Sequence, residues 1–127
     1  MEELILKIDV TCLPVFAVKG QNRDVVMVPF TAAASGPYFT GATIGPCVDT
    51  QKYEKGGKGF LSARYMLEGV DASGQKCRIF IENQGSGEWH PALVTDSALL
   101  APWETAELCA TVDPAPEGVT VRVYWKG

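Results

Sequence analysis

Apolar side chains recur at every second position over two long stretches. They are Leu4, Leu6, Ile8, Val10 and Cys12 near the start, and Val119, Val121, Val123 and Trp125 near the end. A period of two places alternate side chains on opposite faces of an extended strand, whereas a helix needs apolar positions three and four apart. Both stretches are therefore predicted to be half-buried strands. Shorter segments rich in β-branched and aromatic residues lie between them: Val25–Phe30, Tyr38–Gly45, Phe60–Leu67, Lys76–Asn83 and Ala92–Thr95. Turn residues bound each one, among them Gly36-Pro37, the tip Glu54–Gly59, Asp71–Gly74 and Pro114–Gly118. Seven or eight short strands at this spacing predict an all-β fold, an antiparallel sandwich or closed barrel with at most one short helix. Residues Ala98 to Cys109 tolerate a short helix around Pro102 to Leu108, because proline suits a first helical turn, with strand as the alternative where tertiary context overrides that propensity.

A length of 127 residues fits one domain, 1–127, and 46% hydrophobic residues are enough to fill its core. The formal charge is -4, and no basic stretch occurs that could neutralise a run of phosphates, which argues against a nucleic-acid partner. Met1-Glu2-Glu3-Leu4 is acidic where a secretory signal needs positive charge. No apolar run approaches the roughly 20 residues that span a bilayer. These features predict a cytoplasmic protein with no membrane partner. Cys12, Cys47, Cys77 and Cys109 form no C-x-x-C pair, so they are expected to be buried free thiols rather than zinc ligands or a redox couple. The glycine-rich tip Glu54–Gly59 leads into a strand pattern and is read as a hairpin turn, since a phosphate loop must feed a helix.

The clearest hairpin joins Phe60–Leu67 to Lys76–Asn83 through Asp71–Gly74. Pairing Val70 with Gln75 predicts that Ser62, Arg64 and Met66 share a face with Ile79, Ile81 and Asn83. Ala63, Tyr65 and Leu67 then share the other face with Arg78, Phe80 and Glu82. On this register Arg64 and Asn83 are expected to face the interior, with Asp49 close enough to join a polar network.

In order and spacing, several motifs match a known group. They are Gly36–Gly41, Gly45–Gln51, Ala63-Arg64-Tyr65 with Leu67, Asp71 and Gly74, then Ile81–Gly85, and the closing Val121-Arg122-Val123-Tyr124. Over most of its length the chain resembles the bacterial domain of unknown function 3237 family of small β-barrel proteins. The resemblance implies a closed antiparallel barrel, calycin-like and similar in shape to allene oxide cyclase, with an internal pocket. It implies no established activity. Asp49, Arg64, Tyr65 and Asn83 are the positions that match the family's polar pattern.

His90 is the only histidine and no G-x-S-x-G elbow exists, so no conventional hydrolytic triad can be assembled. His90 is read as a solvated loop residue. Three function classes stay open. One is a barrel that binds a small molecule through Asp49, Arg64, Tyr65 and Asn83, with Arg64 suited to holding an anion. Another is a cofactor-free lyase, isomerase or cyclase with Asp49 as base and Arg64 stabilising negative charge. The third is a structural or interaction protein. No cofactor or metal is expected, and a homo-oligomer is compatible with the sequence.

Overall fold

The computed structural model describes residues 2–126. Its strands, in chain order, are β1 (Glu2–Cys12), β2 (Phe16–Lys19), β3 (Arg23–Ser35), β4 (Phe39–Thr43) and β5 (Cys47–Glu54). They continue with β6 (Gly59–Asp71), β7 (Lys76–Gly85), β8 (Ala92–Thr95), β9 (Leu108–Ala115) and β10 (Gly118–Lys126). The fold is all-β. One antiparallel sheet runs in the order β8, β7, β6, β4, β3, β1, β10, β9. β5 continues the slot of β4 between β3 and β6, and β2 runs beside the other edge of β3 beyond the end of β1. The two ends of the sheet path touch at one point. There Ala110 of β9 donates its N–H to the Trp89 carbonyl, in the segment between β7 and β8, at 3.0 Å.

The predicted hairpins β5–β6 and β6–β7 form, and the turn expected at Pro114–Gly118 joins β10 to a strand the sequence did not predict, β9. Two local expectations give way to tertiary pairing. Residues Pro102–Leu108 are not a helix. A single 3-10 turn covers Ala101–Glu104, and Leu108 opens β9, where it is buried and opposite Trp125. A ladder partner outweighs weak helix propensity there. The alternation in β1 also breaks, because the register slips between Leu4 and Leu6, so Ile5 and Leu6 are both buried and Leu4 is 41% exposed. A β-bulge of this kind lets one strand present consecutive side chains to the core.

The core fills one end of the sheet. Ile5, Leu6, Phe39, Leu67, Ile79 and Val123 are almost fully buried there, and Leu100 and Trp103 cover them from the 3-10 segment. Asp71 ties that segment down. Its Oδ1 accepts from the Ser73 N–H at 2.9 Å, the Ser73 hydroxyl at 2.6 Å and the Gln75 N–H at 3.2 Å, while Oδ2 accepts from the Ser97 hydroxyl at 2.7 Å. The Ser73 and Ser97 hydroxyls foremost pull its carboxyl down to about 2. All four cysteines are free, as expected, but burial holds only for Cys77. Cys12 is exposed, and Cys47 and Cys109 are half-buried. Among the described residues no helix is long and apolar enough to cross a membrane.

Candidate functional site

The register of the β6–β7 hairpin decides which polar groups face inward. Asp71 accepts a bond from the Gly74 N–H and its own N–H donates to Gln75, leaving a three-residue loop with Gly74 at φ +88°. A type I turn closed by a left-handed glycine is the usual form of such a loop. Val70 therefore pairs with Lys76, one residue beyond the predicted partner Gln75. A one-residue slip exchanges faces. Ala63, Tyr65 and Leu67 now share the inner face with Ile79, Ile81 and Asn83, and Arg64 moves to the outer face opposite Glu82.

The expectation for Arg64 is thus corrected. Its guanidinium donates to Glu82 at 2.8 Å, and its side chain is 67% exposed. It cannot hold an anion inside the sheet, nor act together with Asp49 on one substrate, because the two project from opposite faces. A hollow of about 520 Å³ surrounds Arg64 on the outer surface, between Lys52, Phe60 and Gln84.

The structure brings the other three predicted residues together. Asp49, Tyr65 and Asn83 line an inner cavity of about 220 Å³ with Phe30, Leu61, Ala63 and Trp89 among the walls. It lies at the end of the sheet opposite the 3-10 segment, and its surface is mostly apolar. Asp49 pairs with Ala63, and Ala63 pairs with Asn83, so the two polar residues flank the smallest wall residue in one row across β5, β6 and β7.

β5 contributes more than its single predicted residue. Asp49, Gln51 and Tyr53 sit two apart and so point the same way. The Tyr53 hydroxyl donates to Gln51 Oε1 at 2.7 Å, and Gln51 Nε2 donates to Asp49 Oδ2 at 2.8 Å. This relay occupies one carboxylate oxygen and leaves the other. Asp49 Oδ1 and Asn83 Oδ1 are both buried without a hydrogen-bond partner. Burial raises the Asp49 carboxyl above its usual range, against a smaller lowering by Gln51. Burial likewise raises the Tyr65 phenol, with the Asp49 charge adding to the effect, so Tyr65 stays a neutral donor. Tyr65 also packs edge-on against Phe30, with ring centroids 4.9 Å apart.

Sequence reasoning missed Gln51, Tyr53 and Trp89 as parts of the site. The signal for the first two was the spacing Asp49-x-Gln51-x-Tyr53, legible once Cys47–Glu54 is taken as a strand. Trp89 carries no such signal, since it reaches the cavity from a loop. His90 next to it is solvated, its side chain 61% exposed and 4.0 Å from Glu88.

No protein-family model matches the sequence, and no curated protein matches it. Solved structures do. A protein of unknown function from Clostridium acetobutylicum is 23% identical, with a TM-score of 0.82, covering 98% of this chain and 95% of that one. An enzyme from Penicillium herquei is 13% identical, with a TM-score of 0.79 and coverage of 98% and 92%. A beta-barrel-like protein from Acinetobacter baumannii is 14% identical, with a TM-score of 0.79 and coverage of 98% and 96%. At these identities the likeness establishes a shared fold, and function has to be argued from the site.

Proposed function

We propose that this chain is a cytoplasmic, calycin-like closed barrel of the domain of unknown function 3237 type that binds a small, mostly apolar molecule in its interior. The Trp89–Ala110 bridge supports closure, since it links the two ends of the sheet path. The observation that carries the binding reading is the pair of orphaned acceptors, Asp49 Oδ1 and Asn83 Oδ1, in one apolar cavity. A buried polar atom without a partner costs about 1–3 kcal/mol, and a ligand with donor groups would recover that cost. The volume is of the right order, because an apolar cavity of about 150 Å³ accepts benzene. The partner is a small molecule rather than nucleic acid or a bilayer. The ligand brings hydrogen-bond donors rather than negative charge, because the expected cation, Arg64, lies outside.

Fluorescence titration with the neutral apolar dye N-phenyl-1-naphthylamine tests this reading. The wild-type chain should bind the dye with a saturable signal. Ala63→Phe, which fills the space between Asp49 and Asn83, should weaken binding by about tenfold or more. Equal binding by both, or none by either, would remove the cavity as a ligand site.

A further inference from the structure

The row Asp49, Ala63, Asn83 defines where a ligand's polar group must sit. Neighbouring strands lie about 4.8 Å apart, so the two flanking Cα atoms are about 10 Å apart, with only a methyl group between them. Both side chains project from the same face, and Asn83 is 4% exposed. Gln51 fixes the Asp49 carboxylate through Oδ2, and Tyr53 in turn holds Gln51, so Oδ1 is the oxygen left to accept. Two acceptors facing one gap call for a group with several N–H or O–H donors.

Charge narrows the choice. The polar and thiol side chains around Asp49 and Tyr65 include Gln51 and Tyr53 on β5, Cys47 on the same strand and Cys12 on β1. None is a cation, and no lysine, arginine or histidine is among the residues that line the cavity. A carboxylate in an apolar cavity is costly unless it is paired, and a neutral ligand leaves it unpaired. Phe30, Tyr65 and Trp89 supply aromatic walls of the kind that attract an organic cation.

Building on the proposed binding role, we infer that the molecule held over Ala63 is a protonated primary amine on an apolar body, its ammonium shared by Asp49 Oδ1 and Asn83 Oδ1. The body lies against the aromatic walls, and no bond is made or broken.

Calorimetric titration at pH 7.5 with three isosteric probes tests it: 2-phenylethylamine, 2-phenylethanol and phenylacetate. The amine should bind about tenfold or more tightly than the alcohol, and phenylacetate should be weakest. Asp49→Asn should bring the amine to within about threefold of the alcohol, while Arg64→Ala keeps the wild-type preference. Should Asp49→Asn fail to fold, the ranking on the wild-type chain decides alone. An alcohol or carboxylate that matches or beats the amine overturns the inference, as does an amine preference that survives Asp49→Asn. If none of the three binds while N-phenyl-1-naphthylamine does, the amine falls and the cavity reading stands. If the dye fails as well, both fall.

Discussion

Ala63 matters for what it leaves empty, and Asp49 for what it lacks. The Asp49 carboxyl titrates near 3.8 in an unfolded chain and higher when folded, because burial disfavours its charge. The folded state therefore binds the proton more tightly. Its stability falls as pH rises through the window between those two values, and the cost is fully present above the folded value. Asp49→Asn removes the charge and keeps an oxygen for the Gln51 amide. It should melt higher than the wild-type chain at pH 7, and the difference should shrink at pH 4. Scanning calorimetry at the two pH values checks this, and a difference that does not change with pH would refute it.

At the scale of elements, two glycines separate turn conformation from close packing. Gly74 needs a positive φ, but a Cβ there meets nothing within 4 Å. Gly74→Ala should cost about 1–2 kcal/mol from backbone strain alone. Gly69 lies where β4 and β6 approach, and a Cβ there would stand 2.0 Å from the Thr40 carbonyl oxygen and 2.5 Å from the Gly41 Cα. Backbone cannot yield as a flexible side chain does. Gly69→Ala should therefore cost more than Gly74→Ala, reaching about 3 kcal/mol, as forced overpacking does. Urea denaturation of the two variants measures the order, and the reverse order would contradict the close approach of β4 and β6.

Across the whole molecule, the sheet divides into a filled end and an open end. Ile81 is fully buried, between the packed core and the cavity. Ile81→Ala should cost about 2–5 kcal/mol, the range for truncating a core isoleucine. Arg64→Ala removes an exposed ion pair with Glu82 and should cost about 1 kcal/mol or less. Denaturant midpoints compare the two directly. A large loss for Arg64→Ala would mean that the outer face is doing more than solvating the sheet. The first and last strands pair along their length, from Glu2 with Lys126 to Thr11 with Gly118. Both halves of the sequence must therefore be in place before the cavity has walls.

Within a single strand, alternation is local stereochemistry, and the sequence alone determined it. Tyr65 had to lie with Ala63 and Leu67, and Asn83 with Ile81 and Ile79, whatever the rest of the chain did. The all-β class, the hairpin turns and the grouping of Asp49, Tyr65 and Asn83 as candidate residues followed from such patterns and from the family resemblance. Which face of one strand joins which face of the next depends on how many residues the turn consumes. Here the turn is settled jointly by Gly74 in a left-handed conformation, by the Asp71 carboxylate gathering Ser73, Gln75 and Ser97, and by burial of Ile79 and Ile81. That single residue of register put Arg64 in water and brought Tyr65 onto the face of Asn83 in the cavity. Leu108 and its neighbours were decided the same way, because local propensity there was weak and a ladder with β10 was on offer only in the folded chain.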